Sequence, residues 1–208
     1  MKRMTVFLAI AAFALAMPNG AYGSIVAGDY TGGGTLFNFS RAGGFSFTAN
    51  TSMRVTGLGI YDLGAAGFAS SHDIGIFRVS DNSVVSSATI GAGLSGTFVA
   101  GTVDGTRFVN VASFGLKKGV QYYILGNNFS TDQYVFGGGG AVTFDSALTW
   151  NGFVDGESNS IFSNPIFQGG LPGNLGPNFM FSAVPEPTTL MVWGVLGLAG
   201  LGLRRRKS

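Results

Sequence analysis

Thr35-Leu36-Phe37-Asn38-Phe39-Ser40, then Arg41-Ala42-Gly43-Gly44, then Phe45-Ser46-Phe47-Thr48-Ala49 is the stretch on which the fold turns. Apolar and polar residues alternate with a period of two, strictly so from Phe45 to Ala49, which is the spacing of a half-buried strand. The Arg-Ala-Gly-Gly segment between them reads as a turn. Working outward, the same grammar repeats. Residues 53–61 form a third strand whose apolar phase slips at Gly57, from Met53 and Val55 to Leu58 and Ile60, which predicts a β-bulge. Residues 72–79 and 84–90 are strands around the turn Ser80-Asp81-Asn82-Ser83. Residues 97–103 and 106–111 flank Asp104-Gly105, a two-residue hairpin signal. Residues 120–125 follow the turn Lys117-Lys118-Gly119, and residues 134–136 and 141–144 flank four glycines. Residues 30–34 read as a flexible lead-in, 62–71 as a Gly/Ala/Ser loop, 155–176 as a long loop, and 178–183 as a closing strand. Nothing between Ser24 and Ala183 has a helical period. About ten short strands predict an all-β fold, an antiparallel β-sandwich or jelly roll, over residues 24–183.

Composition agrees. Gly is abundant at 35 residues, Phe is the main aromatic at 19, and there is no Cys, so an apolar core holds the fold without disulfides. The formal charge of the 208-residue chain is +2, with twelve Lys/Arg. Six of those cations lie in two terminal segments. Between Ser24 and Ala183, six Lys/Arg face nine Asp/Glu, a net charge of −3. The positive balance belongs to the ends, so nucleic-acid binding is not indicated.

The ends have their own logic. Lys2-Arg3, an apolar run to Met17, Pro18-Asn19-Gly20 and the small residues of Ala21-Tyr22-Gly23 read as a secretory signal helix, residues 1–23, cut after Gly23 or after Ala21. At the other end, Val184-Pro185-Glu186-Pro187 precedes residues 188–203, an uncharged run closed by Arg204, Arg205, Arg206 and Lys207. Proline restricts both itself and its predecessor, so the Pro-Glu-Pro segment reads as extended and exposed. The run is 16 residues. As a helix it spans about 24 Å against a hydrocarbon core of about 30 Å. That predicts a marginal, removable transmembrane helix, with the Arg cluster as its cytoplasmic stop.

The order Val184-Pro185-Glu186-Pro187, apolar run, basic cluster resembles the PEP-CTERM sorting signal of Gram-negative bacteria, over residues 184–208. The resemblance implies export through the Sec translocon and signal peptidase, a transient stay in the inner membrane, and recognition of the Pro-Glu-Pro motif by an exosortase. Delivery to the cell surface or the exopolysaccharide matrix then follows. A second resemblance covers residues 45–125. Leu58-Gly59-Ile60-Tyr61-Asp62, Ser71-His72-Asp73-Ile74-Gly75-Ile76 and the strand after Gly119 are similar to an uncharacterised β-rich domain common in PEP-CTERM proteins. It implies a β-rich fold and no particular activity.

Chemistry is sparse. His72 is the only histidine. With Asp62 across the preceding loop it reads either as a ligand site for a metal or glycan or as a residue pinning that loop. A Ser71/His72/Asp73 triad fails on geometry, because adjacent strand residues point to opposite faces. Asp145, Asp155 and Glu157 are the carboxylates that glycosidase chemistry would draw on, but nothing pairs them across a cleft. Asn151, Asp155, Glu157 and Asn159 offer oxygen ligands for calcium at Asp155 and Glu157, without an EF-hand spacing. Tyr134 and Trp150 are candidates for sugar stacking. The expectation is a non-enzymatic exported protein of the biofilm or matrix that associates with exopolysaccharide. The alternatives are a secreted polysaccharide-acting enzyme and a self-assembling surface protein.

Overall fold

The computed structural model describes residues 24–32, 35–136, 142–170 and 176–184. The expected signal helix, the segment from Pro185 to the basic cluster and the four-glycine run lie outside the described residues. The described chain is all-β with antiparallel sheets and no α-helix. Its strands are β1 (Ile25–Val26), β2 (Gly28–Tyr30), β3 (Thr35–Phe37), β4 (Gly43–Ala49), β5 (Met53–Asp62), β6 (His72–Arg78), β7 (Val84–Ile90) and β8 (Thr97–Ala100). They continue with β9 (Gly105–Leu116), β10 (Gln121–Gly126), β11 (Tyr134–Phe136), β12 (Val142–Phe144), β13 (Leu148–Gly156), β14 (Pro165–Gln168) and β15 (Pro177–Ala183). A single 3-10 turn, Leu63–Ala65, follows β5.

Two large sheets dominate. One has the order β1-β15-β5-β9-β8 and the other β14-β13-β4-β10-β6-β7, with the small pairs β11-β3 and β12-β2 beside them. Alternation decides which side chains meet. Phe45 and Phe47 of β4 point to the same core as Phe179 and Phe181 of β15, and the Phe47 and Phe179 rings stack at 5.1 Å. Each such ring removes 150–250 Å² from water, the largest apolar contribution available to a chain without disulfides. A smaller cluster lies on the other face of the six-stranded sheet, where Tyr123 stacks on Phe77 at 5.0 Å and Ile161 covers them.

The predicted bulge is present. The β5–β9 register slips between Val55 and Gly57, opposite a slip in β15 between Met180 and Phe181. Four local expectations need correcting. β3 and β4 do not pair with each other, because β3 joins β11 while β4 lies between β10 and β13. The reason is local: after Phe37 the chain turns to the 129–130 loop, with Phe39 N donating to the Phe129 carbonyl and Asn38 Nδ2 to that of Ser130. The β8–β9 connection is a four-residue loop, 101–104, closed by Gly101 N donating to the Asp104 carbonyl at 2.8 Å. Asp104 has a positive φ of 54° but Gly105 does not. A type I′ hairpin needs two such residues in succession. Finally, Asp155 is not in a loop. It lies in β13, which pairs with β4 on one side and β14 on the other. The lead-in at Tyr30 is likewise strand, β2 against β12.

The two ends of these sheets differ. Ala49, Met53, Leu116, Gln121, Leu148 and Ala183 mark the end where β15 leaves, here the exit end; Gly119 N donates to the Ala49 carbonyl there, and Val184 N to that of Ser52. Gly43, Asp62, His72, Gly105, Gly126 and Asp155 mark the opposite end, where the longest connections gather; it is called the loop end.

Candidate functional site

At the loop end, β5 stops at Asp62 and the chain runs through residues 63–71 before β6 begins at His72. Two buried side chains hold this segment from opposite sides. Asp62 is 1% exposed, and its Oδ2 accepts from Arg107 Nε at 2.6 Å while its Oδ1 accepts from Gly67 N at 3.0 Å. Arg107 continues the clamp, donating to the carbonyls of Leu94 and Ala65 and lying over the Phe98 ring. A buried pair of this kind is costly to break from one side, because the surviving charge has no water to solvate it.

His72 is fully buried, wedged between the rings of Phe68 and Phe129. Its Nδ1 donates to the Asn127 carbonyl at 2.5 Å, since a carbonyl only accepts, and its Nε2 meets Asp132 Oδ2 at 3.1 Å. Asp132 in turn accepts from the backbone amides of Ala69 and Ser70, at 2.8 and 3.1 Å. Asn127 closes the network by accepting from Asp73 N through Oδ1 and donating to Asp73 Oδ2. Asp62 and His72 therefore act on the same loop through separate partners, and both are saturated within the protein.

The clamp shapes a cleft of about 300 Å³ lined by Asn38, Tyr61, Asp62, Phe68, Thr131, Asp132 and Gln133, among others. Asn38 and Gln133 are joined by a 3.1 Å hydrogen bond, and Thr131 is exposed beside them. Tyr61 also lines a second cleft of about 360 Å³ with Asp29, Tyr30 and Thr102. There Asp29 holds the 101–104 loop by accepting from Thr102 N and Oγ1. Burial, reinforced by the hydrogen bond from Tyr61 Oη to Asp104, pushes the Tyr61 phenol far above its usual range.

The other expected site residues go elsewhere. Asn151 and Asp155 lie on β13, Glu157 and Asn159 follow it, and the side chains go to different partners. Asn151 bonds Thr48, Glu157 accepts from Asn164, and Asn159 pairs with Asn128. Among the described residues no group of three or more His, Cys, Asp or Glu is placed to hold a metal ion. Asp155 is 6% exposed; its Oδ2 accepts from Gln168 at 2.8 Å, and its Oδ1 finds no partner among the described residues. Burial pushes its carboxyl up to about 6, with the Arg41 charge pulling the other way. Tyr134 is buried against Phe37, Phe39 and Phe129, and so offers no open face for a sugar; its phenol is raised by burial and by the Asp155 charge. Trp150 is half-buried and packs against the main core, its indole Nε1 buried without a partner among the described residues. Asp145 caps a turn by accepting from Ala147 N.

Arg107, Asn127 and Asp132 carry the clamp and were not among the expected residues. Arg107 left a signal: a lone cation inside the strand-like run Thr106-Arg107-Phe108 calls for a buried carboxylate partner.

Residues 183–207 match the PEP-CTERM protein-sorting motif. The chain carries a PEP-CTERM sorting signal. It is therefore an exosortase-targeted, exported protein whose precursor is anchored in a bacterial membrane, and exosortase is its processing partner. The β-rich domain expected over residues 45–125 is consistent with β4 to β10. No curated protein matches the sequence. Among solved structures, the crystal structure of the infectious bursal disease virus VP2 subviral particle is similar at 11% identity, over 88% of this chain and 46% of that one, with a TM-score of 0.21. The chain thus spans less than half the length of that protein, and so loose a superposition carries no argument. Among the described residues no helix is long and apolar enough to cross a membrane, and residues 188–203 lie outside them.

Proposed function

We propose that this is a non-enzymatic protein of the cell surface or extracellular matrix of a Gram-negative bacterium, which associates with exopolysaccharide through its loop end. Residues 1–23 direct export through the Sec translocon and signal peptidase. Residues 24–183 are the exported domain, whose two large sheets we read as the layers of an antiparallel β-sandwich of jelly-roll kind. Residues 188–203 anchor the precursor in the inner membrane until exosortase acts at Val184-Pro185-Glu186-Pro187, with Arg204 to Lys207 on the cytoplasmic side.

The observation that carries the glycan reading is the cleft at Asn38, Thr131, Asp132 and Gln133. The amides of Asn38 and Gln133 and the Thr131 hydroxyl supply both donors and acceptors for sugar hydroxyls, over a floor that includes the buried Tyr61 and Phe68. The non-enzymatic reading is supported by how the carboxylates are spent. Asp62 answers Arg107, and Asp132 answers His72 and two loop amides. Asp145, Asp155 and Glu157 have separate partners.

Co-sedimentation of the exported, processed protein with exopolysaccharide from the producing cells tests this, with polymer length measured afterwards. Saturable binding with the polymer intact is expected. A shortened polymer favours the polysaccharide-acting enzyme; absence of binding removes the glycan reading. Self-assembly is a second reading with an observation of its own: edge strand β14 exposes Ile166 and Phe167. Unpaired, apolar edges are where strands from other molecules add.

A further inference from the structure

The two ends of the domain carry opposite charge, and the chain leaves through the positive one. Arg54, Lys117 and Lys118 are exposed at the exit end, and Arg78 lies at its margin in a pair with Asp81. Against these four cations the exit end has two carboxylates, Asp81 and Asp145. The loop end has the reverse balance: Arg41 and the buried Arg107 against the remaining seven carboxylates between residues 24 and 183. The strand register fixes this division. Arg54 lies opposite Gly115 and Ser182, one residue from the point where Met53 meets Leu116 and Ala183, and Lys117 follows directly.

The exit point is equally fixed. Val184 N donates to the Ser52 carbonyl at 2.8 Å, so the chain is still bound to the domain at the last residue before Pro185. Only Pro185-Glu186-Pro187 separates that residue from the apolar run beginning at Thr188. The four Cα steps from Val184 to Thr188 reach at most about 14 Å, less than two Debye lengths at physiological salt. The basic end is therefore tethered within electrostatic range of whatever surface holds the tail. The loop end is held away from it by the length of β5, about 30 Å for ten residues.

We propose that, in the anchored precursor, the Arg54/Lys117/Lys118 end docks on anionic phospholipid headgroups, which turns the acidic loop end and its clefts away from the membrane. This rests on the anchor placed at residues 188–203 above. A domain of net charge −3 is repelled as a whole from an anionic surface. Its polarity decides which end approaches, because three exposed cations gain attraction where the loop end meets repulsion. Docking also holds the Pro-Glu-Pro segment at the headgroup level, where a membrane-embedded protease works.

The chain has no cysteine, so a single label can be placed without interference. Gly115→Cys puts it on the exit end, where an added Cβ meets nothing within 4 Å, and Ala66→Cys on the exposed loop end. The full chain is reconstituted into vesicles of phosphatidylcholine alone or with 30% phosphatidylglycerol, roughly the surface charge at which each Lys or Arg near the membrane gains about five-fold in partitioning. Flotation with the vesicles reports the anchor, and quenching by a headgroup-linked quencher reports docking. The expected result is flotation with both lipids and strong quenching at position 115, only with phosphatidylglycerol, and weak quenching at 66. Lys117→Ala with Lys118→Ala then weakens docking roughly 30-fold with unchanged flotation and melting temperature. Equal quenching at both positions, or quenching at 115 that persists in phosphatidylcholine, overturns the docking. A chain that floats with neither vesicle overturns the anchor beneath it.

Discussion

The two ends of this domain are closed by different means. At the exit end, main-chain hydrogen bonds close short turns: Gly119 to Ala49, Asn50 to Ala147 and Val184 to Ser52. Arg54, Lys117 and Lys118 are exposed there. At the loop end the connections are longer, and buried side chains close them: Arg107 on Asp62, His72 on Asp132 and Asn127. Backbone closure tolerates changes of side chain, whereas side-chain closure concentrates stability in a few residues and makes a cleft as a by-product. On the functions proposed above, one end of the same sheets rests on a surface and the other holds a ligand.

Substitutions sharpen or break that contrast. Arg107→Ala leaves the Asp62 carboxylate buried and unpaired and should destabilise the fold by about 3–5 kcal/mol. Denaturant unfolding measures it, and a loss under 1 kcal/mol would mean that the clamp is ornamental. Next comes His72→Ala, which opens a void between Phe68 and Phe129 and strands the Asn127 carbonyl and Asp132. A loss of about 2–4 kcal/mol is expected from cavity and lost hydrogen bonds together. Asp155→Asn tests a buried group that the fold tolerates without exploiting. Its folded-state carboxyl titrates near 6, above the usual value of 3.8, so the folded protein holds the proton more tightly than the unfolded one. The wild type therefore loses stability as pH rises from about 4 through 6, and is disadvantaged above that window. Asparagine removes the charge, so the variant should be more stable by about 1 kcal/mol at pH 8 and equal to wild type at pH 4. Thermal melts at the two pH values decide it, and a gain at pH 4 would refute the assignment. The smallest effect belongs to the exit end, where Lys117→Ala should change stability by less than about 0.5 kcal/mol.

The sequence made the strands legible wherever apolar alternation was clean. β4, β6, β7, β10 and β15 fall close to their predicted positions, and the phase slip at Gly57 announced its bulge. Pairing was less legible, because alternation names a face and not a neighbour; β3 and β4 are adjacent in the chain and lie in different sheets. β13 was hidden because Asn151-Gly152 and Asp155-Gly156 look like turns, yet the register shift between Trp150 and Gly152 absorbs Asn151 as a bulge. Of the site, Asp62 and His72 were visible as a lone polar pair around a loop. Their partners were not, since Arg107 lies 45 residues from Asp62 and Asp132 60 from His72, contacts that only the sheet topology creates. Tyr134 and Trp150 illustrate the converse: an aromatic residue alone does not say whether its ring faces sugar or core.

The most direct test of the account is binding of the processed protein to exopolysaccharide, wild type against Thr131→Ala with Gln133→Ala. Both residues line the cleft; Gln133 donates to Asn38, and Thr131 Oγ1 bonds Ser70 Oγ and touches Asp132 Oδ2 at 3.4 Å, so their removal trims the rim of the clamp and leaves the Asp62–Arg107 pair and the His72–Asp132 contact in place. The account predicts at least a ten-fold loss of binding, on the order of one or two lost hydrogen bonds, with a melting temperature within about 4 °C of the wild type. Unchanged binding in a variant that melts like the wild type would contradict it, and would move the glycan contact away from the loop-end cleft.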